Sequence, residues 1–257
     1  MTSLVLPAYN PGPVAERTWH EVAAFLAGRP EPWEVLFVLD GCTDDTAGRL
    51  AHLARTAPNP RFRVVDYRPN RGKGHAVRVG LQEARGRVRL FTDIDLAYTF
   101  EDITRVANAV RDGAAVAIAS REHPESQLTL PVGVLGYAYR RHIQSRVFGA
   151  VARTLLPLRQ RDTQAGLKAM TDVVASHVMP ELRCNGFGFD CELLTACAHS
   201  GIPVTEVPVH VRYENSASTT GAKATLRMLR ELWTIRQAWK GRRVTLAVET
   251  EVVRRAA

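Results

Sequence analysis

Two aspartates one residue apart, Asp93-Ile94-Asp95, follow a short apolar run, Val88-Arg89-Leu90-Phe91-Thr92. Carboxylates at i and i+2 beyond a strand can share a hard divalent cation if the chain bends there. Mg2+ or Mn2+ takes one or two carboxylates and completes its shell with water and substrate phosphates. Read alone, such a pair is a solvated acidic turn, and its place at a strand end is what gives it weight. A second cluster, Asn70-Arg71-Gly72-Lys73-Gly74, sets two glycines and two cations at a helix start, an arrangement suited to an anionic ligand. It lacks the spacing and the Ser/Thr of a GxxxxGK[ST] loop, and the chain has no GxGxxG, so nothing supports a dinucleotide-dependent oxidoreductase. His210, between Val209 and Val211, reads either as a strand histidine or as a metal ligand. The four cysteines, Cys42, Cys184, Cys191 and Cys197, form no CxxC pair and no zinc spacing, and read as reduced thiols of a cytoplasmic protein.

The elements that must hold these residues alternate. Apolar runs at Ser3–Pro7, Glu34–Leu39, Phe62–Asp66, Val88–Thr92 and Ala114–Ala119 read as strands. Glu34–Leu39 is nearly continuous, as expected of a strand buried on both faces of a parallel sheet. Between the strands, helical spacing covers Val14–Ala27, the segment capped by Thr43–Thr46, Gly74–Ala84 and Glu101–Val110. The pattern predicts an α/β fold with a mostly parallel sheet covered by helices on both faces. Further on, Val134–Leu156 is a basic amphipathic segment, Val204–Val209 a strand and Ala222–Trp239 a helix; Val244–Val253 reads as a last strand or a tail. In an open parallel sheet, ligands sit beyond the carboxyl ends of the strands. That places Pro7-Ala8-Tyr9-Asn10, Asp40-Gly41, the Asn70–Gly74 loop and Asp93/Asp95 on one rim.

With 257 residues, 46% hydrophobic and 23% charged, the chain has ordinary globular composition. Its net charge of +8 favours phosphates, acidic headgroups or nucleic acid without choosing among them. The longest charge-free stretch, Ser126–Tyr139, is shorter than the ~20 apolar residues of a membrane span. No secretory signal peptide is expected from the Met1-Thr2-Ser3 start. Without helix-turn-helix, zinc-ligand or RNP-like patterns, no nucleic-acid partner is expected. The cations Arg140, Arg141, Arg146 and Arg153, interleaved with apolar residues, fit either peripheral membrane contact or a core helix with a solvated face.

Taken in order, Leu6–Asn10, Leu39–Asp44, Asn70–Gly74, Thr92–Leu96, Arg161-Asp162-Thr163-Gln164-Ala165-Gly166-Leu167-Lys168, Phe189-Asp190-Cys191-Glu192-Leu193-Leu194 and Val207-Pro208-Val209 resemble the inverting family 2 glycosyltransferases of GT-A fold. The likeness is greatest to dolichyl- and polyprenyl-phosphate glucosyltransferases and mannosyltransferases, and it spans roughly residues 3 to 236. The resemblance implies a GT-A domain over residues 1–218 and a C-terminal amphipathic helix and tail over 219–257. It implies that Pro7, Ala8 and Tyr9 pack around the nucleoside, that Asp40 contacts the nucleobase, and that Arg71 or Lys73 lies near the base or phosphates. Asp93 and Asp95 would hold Mg2+ or Mn2+ and the diphosphate, while Gln164 and Gly166 would line the sugar and acceptor pocket. Asp190 matches an acceptor-side carboxylate, often a base, with Glu192 as its competitor; the bland alternative makes Asp190 a helix cap. The implied donor is a UDP- or GDP-sugar and the implied acceptor a polyprenyl or dolichyl phosphate. Relatives often carry an N-terminal membrane anchor, and none is expected from this sequence, which keeps a soluble hydroxyl acceptor open. A sugar nucleotidyltransferase is the remaining rival.

Overall fold

The computed structural model describes residues 1–129, 147–186, 188–212 and 222–242. Its first half runs β1 (Thr2–Ala8), α1 (Pro13–Ala27), β2 (Trp33–Asp40), α2 (Thr46–Thr56), β3 (Phe62–Tyr67), α3 (Lys73–Glu83), β4 (Val88–Phe91), α4 (Phe100–Arg111) and β5 (Val116–Ser120). The second half holds β6 (Gln127–Thr129), a helix over residues 147–155 (α5), β7 (Lys168–Thr171), α6 (Asp172–Val178), a 3-10 turn at Met179–Glu181, α7 (Phe189–His199), β8 (Val204–Pro208), β9 (His210–Arg212) and α8 (Ala222–Trp239).

Seven strands form one sheet in the order β3-β2-β1-β4-β7-β5-β8. All neighbours are parallel except β7, which runs antiparallel to both β4 and β5. The α/β alternation and the mostly parallel sheet are as the apolar runs predict. Every residue of β1 and β2 is buried, and alternate side chains supply the two faces. Val5, Leu36 and Val38 join the core beneath α3, α6, α7 and α8, while Leu4, Leu6, Val35, Phe37 and Leu39 join the core beneath α1, α2 and α4. Pro13 opens α1, where its missing N–H costs nothing, and Ala15, Trp19, Val22 and Leu26 bury one stripe of it. Thr99 and Asp102 form a reciprocal capping box at the start of α4. Helix α8 joins the first core through Leu232, Ile235 and Trp239.

Of the basic segment 134–156, residues 134–146 lie outside the described residues, and 147–155 are helical with Phe148 and Ala152 in the core. The segment 244–253 and the boundary at 218 also lie outside the described residues. The strand at Val204 ends at Pro208, and a separate pair, β6 with β9, follows it. No helix among the described residues is long and apolar enough to cross a membrane. All four cysteines are free, and burial pushes the thiols of Cys191 and Cys197 up to about 12, so these two are protonated packing residues.

Candidate active site

The carboxyl ends of β1, β2, β3 and β4 form the rim the sequence points to, and β7 adds to it from the other direction. Because β7 is antiparallel, its first residue, Lys168, lies opposite Phe91 at the end of β4. Continuing that register by two residues brings Gly166 across from Asp93. The contact is close: a Cβ on Gly166 would lie 2.4 Å from Asp93 Oδ2. Any larger residue at 166 would have to move the Asp93 carboxylate from its present position.

Asp93 and Asp95 stand at the turn after β4. The Leu96 N–H donates to the Asp93 carbonyl at 3.1 Å, and Leu96 adopts a φ of 52°, a left-handed value uncommon for a branched residue. This is the bend that two carboxylates need to face one ligand. Loss of water and the adjacent Asp93 raise the Asp95 carboxyl above its ordinary range. Lys73, the first residue of α3, places its ammonium 2.5 Å from Asp93 Oδ1. Burial pulls this ammonium down, but Asp93, Asp190 and Asp95 together outweigh burial and raise it. One lysine thus pairs with Asp93 and feels the charge of Asp190 and Asp95 as well.

Asp190 lies in the first turn of α7 and is buried, as is its partner Lys168, whose side chain is 0% exposed. The Lys168 ammonium donates to Asp190 Oδ1 at 2.6 Å and to the Ala165 carbonyl at 2.6 Å. Gly188, not Asp190, occupies the cap position of α7. Glu192 is engaged differently. Its Oε2 accepts from the backbone N–H groups of Arg183 (2.9 Å) and Cys184 (2.6 Å), and its Oε1 from the Trp239 indole at 3.3 Å. This buried carboxylate ties the 183–184 loop and α8 to α7.

Asp40 is 2% exposed, and its carboxylate organises the loop after β3. Oδ1 accepts from the Tyr67 hydroxyl (2.9 Å) and the Arg71 N–H (2.8 Å); Oδ2 accepts from the Asn70 amide (2.9 Å) and the Gly72 N–H (2.8 Å). Burial and the Asp40 carboxylate push the Tyr67 phenol up. The structure thus makes Asp40 the organiser of the Arg71–Gly72 backbone. On the facing loop, Pro7 and Ala8 are buried and Tyr9 is 54% exposed. Asn10 locks this loop to the next: its Oδ1 accepts from the Thr43 N–H at 2.7 Å and its amide donates to Thr43 Oγ1 at 3.1 Å.

His210 is not brought to the aspartates. It is exposed in β9, where its backbone N–H donates to Asp102 Oδ1 at 3.1 Å and its Nδ1 lies 3.7 Å from the same oxygen. Among the described residues no three His, Cys, Asp or Glu side chains are arranged to hold a metal, so His210 does not complete a ligand set with Asp93 and Asp95. The 126–127 segment fixes its neighbourhood instead, with Ser126 Oγ accepting from the Val209 N–H.

The Arg161–Lys168 segment that leads into β7 is held by an ion pair the sequence reading did not assign. Arg121 Nε donates to Asp162 Oδ2 at 2.7 Å and Arg121 Nη2 to Oδ1 at 2.9 Å, a two-pronged contact that also takes the Arg121 N–H at 3.0 Å. Asp162 Oδ1 then accepts from the N–H of half-buried Gln164 at 3.2 Å. Burial alone would raise the Asp162 carboxyl, but Arg121 outweighs it and holds it below its ordinary value. A depressed folded-state value gives stability that is present above the unfolded value of about 3.9 and lost as pH falls through the folded one. Asp162→Asn is expected to cost on the order of 3 kcal/mol at pH 7, since it leaves Arg121 facing a buried amide. Chemical denaturation at pH 7 and at pH 3 checks this: the gap between wild type and variant should narrow in acid.

Residues 3–161 match the sequence family described as Glycosyl transferase family 2. The chain is 31% identical over 244 residues to the dolichyl-phosphate beta-glucosyltransferase of Drosophila melanogaster, covering 91% of this chain and 73% of that one. It is 26% identical over 253 residues to the enzyme of that name from Saccharomyces cerevisiae, covering 92% and 74%. Among solved structures, glucosyl-3-phosphoglycerate synthase from Mycobacterium tuberculosis with uridine diphosphate shares the fold. The TM-score is 0.64 at 19% identity, covering 92% of this chain and 80% of that one.

Proposed function

The chain belongs to glycosyl transferase family 2, and from that premise we propose that it moves a sugar from a UDP- or GDP-sugar to a polyprenyl-type lipid phosphate, with inversion and with a divalent cation. The chain is a glycosyltransferase; the donor, the cation and the acceptor are the parts proposed. The nucleoside would lie between the Pro7-Ala8-Tyr9 loop and the Arg71–Gly72 backbone that Asp40 orients, with the N-terminus of α3 toward the diphosphate.

The donor set fits Mg2+ or Mn2+. Two carboxylates stand at a bend, Asp95 is raised by loss of water and by Asp93, and hard divalent ions prefer such oxygen ligands. The fold accommodates this combination in the mycobacterial synthase, solved with Mn2+ and uridine diphosphate. When bound, the cation supplies charge neutralisation for the departing diphosphate. The acceptor oxygen forms its bond to the anomeric carbon from the face opposite the diphosphate. The bond to the diphosphate breaks and its electron pair leaves with that group. Lys73 is placed to follow the negative charge as it moves onto the leaving group.

The observation that carries the acceptor assignment is the Lys168–Asp190 pair. A hydroxyl acceptor needs a base as its proton leaves, and such a base contributes roughly 10²–10⁴-fold. A phosphate monoester, with a second pKa near ~6, is already largely a dianion at pH 7 and needs none. Asp190 is committed to a buried ammonium at 2.6 Å, and Glu192 is committed to backbone and indole donors. Both carboxylates already carry structural partners, which supports a phosphate acceptor, in agreement with the names of the relatives. A peripheral membrane contact belongs to the same reading. The outward face of α8 carries Trp233, 61% exposed, beside exposed Arg230, Arg236 and Lys240, a combination suited to anionic headgroups.

The test is turnover of Asp190→Asn against pH, with a polyprenyl phosphate and with soluble sugar hydroxyls as acceptors. With the lipid phosphate, the loss should stay below about tenfold and be flat above pH ~7, where that group has ionised. A loss of about 10² or more confined to a hydroxyl acceptor would instead identify Asp190 as a base and the soluble acceptor as the substrate.

A further inference from the structure

Asp93 is already occupied on both sides. Its Oδ1 holds the Lys73 ammonium at 2.5 Å, and its Oδ2 faces the bare Cα of Gly166, where a Cβ would come within 2.4 Å. A cation drawing on Asp93 Oδ1 must first move Lys73 away. We propose that Lys73 is the counter-ion of Asp93 before ligands bind, displaced from it by the divalent cation and received by the nucleotide diphosphate, so that cation and nucleotide bind interdependently. The inference rests on the reading of Asp93 and Asp95 as cation ligands.

The two lysines of the cluster differ in the way this role requires. Lys168 is fully enclosed and bonded to both Asp190 and the Ala165 carbonyl, so it is a fixed charge. Lys73 is 22% exposed at its side chain, with Asp93 as its one ion-pair partner among the described residues, and its four-carbon stem can swing. Its backbone, by contrast, is anchored. The Gly74 N–H donates to the Asn185 carbonyl at 2.8 Å, and a Cβ at Gly72 would lie 2.4 Å from that same oxygen. Gly72 itself sits at a φ of 100°, open to glycine and strained for other residues. The start of α3 is therefore held while the side chain pivots about it. It pivots at a helix N-terminus, the place where a diphosphate gains from backbone N–H groups.

Charge explains the coupling. Three aspartates, Asp93, Asp95 and Asp190, face two lysines, Lys73 and Lys168, leaving the cluster one charge negative. A dication entering alone would take the cluster from one negative charge to one positive charge and leave the Lys73 ammonium without its Asp93 partner. A dication arriving with a diphosphate restores the original balance and gives the ammonium a new partner. Such coupling acts equally in both directions, each ligand raising the affinity of the other by one factor.

The experiment measures Mn2+ binding directly, by loss of the free-ion electron paramagnetic resonance signal, without turnover. Wild type, Lys73→Met, Lys73→Gln and Lys73→Arg are titrated alone and with saturating UDP or, separately, GDP. Circular dichroism checks that each variant is folded, and the Met and Gln variants back one another. Wild type is expected to bind Mn2+ on the order of tenfold or more tightly with nucleotide than without it. Lys73→Met and Lys73→Gln should bind Mn2+ alone about tenfold more tightly than wild type and lose most of the nucleotide effect, while Lys73→Arg keeps the wild-type pattern. Equal Mn2+ affinity of wild type and both neutral variants in the absence of nucleotide overturns the counter-ion, with the cation ligands left standing. Absence of Mn2+ binding to any variant, with either nucleotide, overturns the cation reading and the counter-ion with it.

Discussion

Asp93→Ala and Asp95→Ala are each expected to lower turnover by about 10²-fold or more while leaving the protein folded. The size follows from what the two groups are proposed to do. Charge developing on a leaving diphosphate must be met by fixed positive charge, and removing one element of such stabilisation raises the barrier by about 3 kcal/mol. Retained folding follows from position. Both residues lie in the turn beyond β4, the Asp93 side chain is 40% exposed, and neither packs in either core. Loss of the Lys73–Asp93 pair should cost no more than about 1 kcal/mol, as for other pairs open to water. Asp93→Asn separates charge from shape, because it keeps the fit against Gly166 and removes only the negative charge. The measurement is initial rate with a nucleotide sugar and added Mg2+ or Mn2+, beside a thermal melt, with chelation by EDTA as a parallel arm. Full activity in EDTA and in both alanine variants would sink the assignment of a cation to these residues.

What could be read from the sequence divides along a physical line. Parallel strands covered on both faces must be apolar throughout, so β1 and β2 announce themselves as Leu4-Val5-Leu6 and Val35–Leu39, and the helices between them by their spacing. Once β4 is placed at Val88–Phe91, its C-terminal rim and the Asp93/Asp95 turn follow from chain order alone. The strand β7 does not follow in this way. It has four residues, it begins with a buried lysine, and it joins the sheet antiparallel through partners such as Lys168 and Phe91, far apart in sequence. Nothing in the local pattern of Lys168-Ala169-Met170-Thr171 encodes that pairing.

The same distinction runs through the site. The sequence identifies groups able to do chemistry but not which of them the fold already uses. Asp40 has the chemistry of a base contact, and Tyr67 of β3 with three donors of the following loop converge on its carboxylate. Glu192 has the chemistry of a base, yet it ties a loop and α8 to α7. His210 has the chemistry of a ligand, yet β9 turns it to Asp102. Lys168 closes the Arg161–Lys168 stretch, and a lysine at an otherwise apolar strand start is itself a signal, because a buried ammonium needs an anion.

Lys168→Met should be the most destabilising of the substitutions considered, by about 3–5 kcal/mol, because it removes one partner of a buried pair and leaves the Asp190 carboxylate without its counter-charge. Methionine fits the space of the lysine stem, so the cost is expected from electrostatics rather than from a cavity. Asp190→Asn alone strands the ammonium of Lys168, which keeps the Ala165 carbonyl at 2.6 Å and the Phe91 ring at 5.9 Å, so its cost should be smaller. The double variant carries the decisive information. With both charges gone, Lys168→Met/Asp190→Asn should recover a large part of the loss, since replacing a whole buried pair with neutral groups is often close to neutral for stability. The coupling energy from the four-protein cycle should then be on the order of 2 kcal/mol or more, within the range found for residues in direct contact. Urea denaturation at pH 7 measures all four. Additive effects, with no recovery in the double variant, would mean that Lys168 stabilises β7 by packing against Phe91 and that its pairing with Asp190 contributes nothing to the fold. A large coupling would instead make the Lys168–Asp190 pair the bond that ties α7, and the acceptor side of the rim, to the strand beside Asp93.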